Sequence, residues 1–284
     1  MAEGIFSRIE SSYPKFTKSE KIVADFVFES PEKVLYTSIT DLAEICGVGD
    51  TTVFRFCKAL KLNGYQEFKM FLAQDLALKT GSDYTISGNV CQEDDIQTIC
   101  KKALTADIAA LTETFEGLNF DAVTKVVDLI ASSKRIQFFV MGSSGVIALE
   151  AKMKFMRILP NVEYIADCHM QFMSAALLDH NDLAVIFSYS GSTKDSIELA
   201  NIARANGCKV VCITRYVNSH LATLSDVVIG CGSNEGPLEG GASSTSMVQL
   251  YILDILYLQY FTKHYKQSKL NKSKTTESIS NKVL

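Results

Sequence analysis

No two of the eight cysteines in this 284-residue chain, at 46, 57, 91, 100, 168, 208, 212 and 231, stand at CxxC spacing. That absence removes the usual spacing of structural zinc and of thioredoxin-like redox chemistry. Cys208 and Cys212 lie within the apolar run CKVVCIT, so they read as small core residues kept reduced. No secretory signal pattern opens the sequence. No uninterrupted apolar run reaches the roughly 18 residues that span a bilayer. A cytoplasmic location without a membrane partner is the expectation. Charge of one sign is also missing, since the formal net charge is only −4. Any contact with nucleic acid must therefore come from a local basic patch. Neither a Gly-Lys-Ser/Thr ending nor a complete GxGxxG occurs, which disfavours nucleotide binding. What remains is a chain with 47% hydrophobic residues, enough for about two folded domains.

The two parts differ in period. Residues 1–77 read as helices only. TKSEKIVADFVF opens with Thr17 and Glu20 at capping-box spacing and sets Ile22, Val23, Phe26 and Val27 on one face. SITDLAEIC repeats the device with Ser38 and Asp41, its face being Ile39, Leu42 and Ile45. After Gly47, Val48 and Gly49 a further helix starts at about Asp50, and YQEFKMFLAQDL closes the part. Two short helices joined by a tight Gly-containing turn predict a helix-turn-helix, whose second helix enters the major groove of double-stranded DNA. Thr51, Thr52, Arg55 and Lys58 are the candidate DNA contacts on that helix, with Val53 and Phe56 facing the core. Tyr65 and Lys69 are candidates for holding the DNA backbone. From 51 to 72 the four cations Arg55, Lys58, Lys61 and Lys69 face one anion, Glu67, a local excess of +3.

Residues 78–93 lose all periodicity and gather Gly, Ser, Thr and Asn, which marks a linker. From Asp94 a long helix carries Ile96, Ile99, Cys100, Leu104, Ile108, Leu111 and Phe115, and a second covers 121–131. Then RIQFFVMG, LAVIFSYS, KVVCIT and DVVIGC follow as short apolar runs separated by helical stretches, with VEYIA a weaker fifth. Strands buried on both faces have this composition, so residues 94–262 predict a doubly wound α/β domain with a parallel, flavodoxin-like sheet. The tail 263–284, with six lysines against one glutamate, reads as disordered.

Two of the predicted strands end in hydroxyls and glycines: FFVMGSSG carries Ser143 and Ser144, and LAVIFSYSGSTKD carries Ser188, Ser190, Ser192 and Thr193. Ligands of open α/β sheets bind beyond the carboxyl ends of strands, and free N–H groups at a helix start hold anions. Glycine admits a close backbone approach while hydroxyls donate to phosphate oxygens. A rival reading makes these serines mere helix caps, Ser192 and Asp195 being at capping-box spacing.

SxSGxT after one core strand and GSS after an earlier one resemble the SIS (sugar isomerase) domain, which binds phosphosugars. DCHMQFMSAALL, together with LAEICGV, TVFRFCKAL and GYQEFK, is similar to the RpiR-type transcriptional regulators, which join a helix-turn-helix to a SIS domain. The resemblance implies that Ser144, Ser188, Ser190 and Thr193 contact a sugar phosphate, with Ser143 and Ser192 nearby. It further implies a regulator of carbohydrate genes, working as a homodimer or homotetramer; activator and repressor both stay open, with repressor the favoured expectation. No cofactor, metal or catalytic residue is expected. The chain departs from the family at Gly49, where Ser is usual, at Lys61, where Gly is usual, and around Ser246, where an arginine is often seen. The alternative is a phosphosugar isomerase, with Glu150, His169 or Glu239 as general base.

Overall fold

The computed structural model of the chain describes residues 4–80, 90–232 and 243–280. They divide into two compact units, the first reaching Ala109 and the second starting at Ala110.

The first unit contains α1 (Ile5–Ser12), α2 (Lys18–Glu29), α3 (Pro31–Leu35), α4 (Ile39–Ile45), α5 (Asp50–Ala59) and α6 (Tyr65–Thr80). Its starts are set by side chains. Thr17 accepts from the Glu20 N–H at 3.3 Å while Glu20 accepts from the Thr17 N–H at 2.8 Å, completing a capping box on α2. Ser38 caps α4 by accepting from the Asp41 N–H at 3.0 Å. Val23, Val27, Leu42, Val53, Phe56 and Leu72 are fully buried in one core. Ile22 and Ile45 fall on exposed faces instead of the core faces that their helical spacing suggests.

The second unit carries a five-stranded sheet, all parallel, in the order β2-β1-β3-β4-β5. The strands are β1 (Ile136–Val140), β2 (Val162–Tyr164), β3 (Leu183–Phe187), β4 (Lys209–Thr214) and β5 (Val227–Gly230). Before them come α7 (Ile96–Glu116), which begins in the first unit, and α8 (Phe120–Ser132). Between the strands lie α9 (Gly145–Phe155), α10 (Cys168–Ala176), α11 (Lys194–Ala205) and α12 (His220–Thr223); α13 (Ser243–Lys263) and α14 (Tyr265–Glu277) follow. Strand alternation separates two cores. Phe138, Val140, Val185 and Phe187 pack with α8, α9 and α13, whereas Phe139, Ile186 and Cys212 pack with α10, α11 and α12. Helices thus cover both faces, the arrangement that the near-continuous apolar strands require.

Two expectations are corrected, on α7 and on the tail, and a third falls largely outside the described residues. The apolar residues Ile96, Leu104, Ile108 and Phe115 of α7 are exposed, and Ala110 and Thr114 supply its buried face. Most of the expected linker, 81–89, lies outside the described residues; α6 runs on to Thr80 and α7 starts at Ile96. The tail is not disordered over Tyr265–Glu277, which is helical. Two hydrogen bonds tie α14 down, Asn271 donating to the Ile158 carbonyl at 2.8 Å and Thr275 to the Arg157 carbonyl at 3.1 Å, and Ser268 is buried.

Among the described residues no helix is long and apolar enough to cross a membrane. Cys46, Cys57, Cys208, Cys212 and Cys231 are buried, whereas Cys100 and Cys168 are exposed. Burial pushes the Cys57 and Cys208 thiols up to about 12, so they act as core residues without thiolate chemistry.

Candidate functional site

β1 and β3 are neighbours in register, with Val140 opposite Phe187, so the chain leaves both strands at the same edge of the sheet. β2 lies on the far side of β1 and β4 on the far side of β3. The connections therefore diverge between β1 and β3, which is the topological switch point where sheets of this order bind ligands. Both hydroxyl-rich turns emerge there.

After β1, Gly142–Ser144 form one 3-10 turn that leads into α9. Gly142 has φ 68°, a left-handed conformation that glycine adopts without penalty. Ser144 is the N-cap of α9, yet its side chain makes no capping hydrogen bond. A Cβ on Gly145 would stand 2.9 Å from the Tyr164 hydroxyl, so glycine lets the end of β2 close over this turn. Burial raises the Tyr164 pKa. Tyr164 belongs to the site's neighbourhood, and sequence reasoning missed it because β2 is only three residues long.

After β3, the loop from Ser188 to Thr193 is anchored on all sides. The Ser188 N–H donates to the Ile213 carbonyl at 3.0 Å, and the Tyr189 carbonyl accepts from the Arg215 N–H at 3.0 Å and the Thr214 hydroxyl at 3.1 Å. Gly191 has φ 57°, and a Cβ there would overlap the Ser219 side chain, so no other residue fits. Ser190 and Ser192 brace each other: Ser192 N–H donates to Ser190 Oγ, and Ser192 Oγ donates to the Ser190 carbonyl, both at 3.2 Å. α11 starts at Lys194 with Thr193 as N-cap, and the Thr193 side chain makes no capping bond. The cap reading of Ser192 with Asp195 does not describe this helix start.

Ser188 is buried, Ser144, Ser190, Ser192 and Thr193 are half-buried, and Ser143 is exposed. Two helix N-termini thus stand with a set of hydroxyls beyond the ends of two adjacent strands, chemistry suited to an anion bearing several oxygens. Among the candidate bases, Glu150 is half-buried on α9, His169 is exposed in the first turn of α10, and Glu239 lies outside the described residues. Among the described residues no group of His, Cys, Asp and Glu could hold a metal ion.

In the first unit, α4 and α5 are joined by a tight turn in which Gly47 has φ 63° and the Val48 N–H donates to the Ala43 carbonyl at 2.8 Å. Val53, Phe56 and Cys57 face the core, while Thr51, Arg55 and Lys58 are exposed on the opposite stripe with Phe54. Three other candidates are corrected. Thr52 is buried and its hydroxyl accepts from Arg55 at 3.4 Å. Tyr65 is buried and its hydroxyl is within 3.2 and 3.1 Å of the Val34 and Thr37 carbonyls, fixing the α3–α4 junction. Lys69 is buried beside the same Thr37 carbonyl, at 3.4 Å, and burial lowers its pKa to about 8. All three side chains are thus engaged inside this unit and not on its exposed stripe. Sequence reasoning placed them outside because polar type, not position on the helix, was the guide.

Two separate stretches of the chain match known families. Residues 3–79 match the helix-turn-helix domain of the rpiR family, and residues 129–259 match the SIS domain. An HTH-type transcriptional regulator of Haemophilus influenzae is 35% identical over 254 residues, covering 89% of this chain and 88% of that one. HexR, an HTH-type transcriptional regulator of Pseudomonas aeruginosa, is 32% identical over the same length, with 89% and 88% covered. The structure of the Vibrio vulnificus NanR protein, complexed with ManNAc-6P, superposes with a TM-score of 0.86 at 26% identity over 98% of both chains. The chain belongs to the RpiR family of helix-turn-helix transcriptional regulators that carry a SIS domain.

Proposed function

We propose that the protein is a cytoplasmic repressor of carbohydrate genes that binds operator DNA through α5 and senses a phosphorylated sugar at the β1/β3 crevice. The observation that carries the effector half is the pair of turns at one switch point, whose N-cap hydroxyls, Ser144 and Thr193, are not spent on their own helices. Ser188 and Ser190 complete the phosphate contacts, with Ser143 and Ser192 at the rim. NanR of Vibrio vulnificus, which holds ManNAc-6P, supports a phosphosugar as the ligand class. Arg55, Lys58 and Thr51 on the exposed stripe of α5 make the DNA contacts. The working form is a homodimer or a pair of dimers, because two reading helices match a pseudo-palindromic site. An effector alters operator affinity only by binding the DNA-competent and DNA-incompetent states unequally. The protein works as a regulator and not as an isomerase.

Two variants test the halves separately. Arg55→Ala weakens operator binding and leaves sugar-phosphate affinity unchanged; Ser190→Ala with Thr193→Ala abolishes the effector response and leaves basal operator binding. Wild-type operator affinity in Arg55→Ala would refute the placement of the reading helix.

A further inference from the structure

The exposed stripe of α5 contains an aromatic residue that neither the core nor the charges explain. Thr51, Phe54, Arg55 and Lys58 stand at i, i+3, i+4 and i+7 and are all exposed. The opposite stripe already closes the core with Val53 and Phe56, each fully buried. Phe54, by contrast, is 43% exposed. Its ring is nevertheless held in place. The Lys58 ammonium lies 5.3 Å from the ring centroid, a cation–π distance. A Cβ at Gly64 would stand 3.6 Å from Phe54 Cε2, so the ring also abuts the backbone of the α5–α6 turn. The ring is thus a positioned apolar surface with one cation, Lys58, over it and a second, Arg55, next along the same exposed stripe.

The charges around this surface are one-sided. Residues 51–59 contain no acidic side chain. Of the nearest acids, Asp50 accepts from the Thr40 hydroxyl at 3.1 Å, and Glu67 accepts from the Asn63 N–H. A partner for this stripe must offer an apolar group flanked by anions. The major groove does so: phosphates line its walls, and the thymine C5 methyl is the apolar mark on its floor.

We propose that Phe54 contacts a thymine methyl in the major groove and makes an A·T pair at that position part of the recognition sequence. The assignment rests on operator binding by α5, as argued above, and adds which base feature one side chain reads. Arg55 and Lys58 supply affinity and register, and Phe54 supplies discrimination that hydrogen bonding does not.

Replacing thymine by deoxyuridine removes only the methyl and keeps every hydrogen-bonding group, which isolates the contact. Wild-type protein first selects its operator from a random duplex pool, and each thymine of the selected sequence is then replaced singly. The expected result is a thymine whose replacement weakens wild-type binding about fourfold, the equivalent of one methyl group returned to water. The same replacement changes nothing for Phe54→Ala, and Phe54→Leu restores part of the sensitivity. Phe54→Ala should still unfold cooperatively, with at most a small drop in Tm from the lost Lys58 and Gly64 contacts, since the side chain lies outside the core. Wild-type protein that binds tightly yet ignores every replacement would overturn the proposal, as would a Phe54→Ala variant that keeps the sensitivity. Failure to enrich any duplex would overturn operator reading itself and this assignment with it.

Discussion

Gln171 takes both backbone hydrogen bonds of Val140: its Oε1 accepts from the Val140 N–H at 3.1 Å, and its Nε2 donates to the Val140 carbonyl at 3.1 Å. β2 pairs with β1 only as far as Phe138, so the last residue of β1 has no strand beside it on that edge. A side-chain amide supplies one donor and one acceptor, the pair an absent strand would have offered. Gln171 is 1% exposed, and α10, which carries it, is started by Asp167 accepting from the Met170 N–H at 2.9 Å. Asp167 and Gln171 of the DCHMQ stretch are therefore a cap and a strand substitute. They fix the exit of β1 two residues ahead of Gly142.

Replacing Gln171 by Leu leaves both Val140 groups buried and unpaired. At about 1–3 kcal/mol for each unsatisfied group, the protein should lose at least about 2 kcal/mol of stability. Denaturant unfolding of the full chain measures it, and a loss below about half a kcal/mol would mean that water or another group takes over the two bonds.

Lys61 occupies a left-handed position, φ 62°, at the end of α5. The Lys61 N–H donates to the Lys58 carbonyl at 2.9 Å and the Leu62 N–H to the Cys57 carbonyl at 3.1 Å, the two bonds of a Schellman motif. The end of α4 is built the same way, with Gly47 at φ 63° and nothing within 4 Å of where its Cβ would be. A side chain in this conformation costs about 1–2 kcal/mol, partly offset because glycine is freer when unfolded. Lys61→Gly should therefore stabilise the chain by roughly 0.5–1 kcal/mol, and Gly47→Ala should destabilise it by a similar amount. A Lys61→Gly variant that melts lower than wild type would show that the lysine side chain makes a compensating contact.

Lys69 titrates at about 8 when folded, because burial disfavours its charged form, and near 10.5 when exposed. Below pH 8 both states hold the proton, and the folded state bears the full penalty of a buried ammonium. Between about 8 and 10.5 the unfolded chain keeps a proton that the folded chain lacks, so stability rises with pH from this group. Lys69→Met should be the more stable protein at pH 7, by up to about 3 kcal/mol. Its advantage should shrink as the pH approaches 10.5. A stability difference that stays constant from pH 7 to 10 would place the lysine charge in water.

The sequence was most legible where one physical demand fixes the residue type. Strands covered on both faces had to be almost wholly apolar, so LAVIF and FFV read as buried parallel strands, and Thr17 with Glu20 announced a helix start. The hydroxyl-and-glycine turns were visible because they follow those strands. Less legible was which side of a helix a polar residue occupies. Lys69 and Tyr65 satisfy the Thr37 carbonyl from inside the core, a tertiary contact across about thirty positions that no local pattern announces. The basic tail misled for the complementary reason: composition suggested solvation, while Asn271 and Thr275 find the Ile158 and Arg157 carbonyls, just beyond the end of α9.

The most direct test of the account is thermal unfolding of the purified full chain against a panel of sugar phosphates, each beside its unphosphorylated sugar. Ligand at 100 times its dissociation constant stabilises the folded state by about 2.7 kcal/mol, a readily measured rise in Tm. The account predicts a rise with at least one phosphosugar, none with the matching free sugar, and loss of the rise in Ser190→Ala with Thr193→Ala. A rise of equal size with the free sugar, or one that survives the double substitution, would contradict the assignment of these turns as the phosphate site.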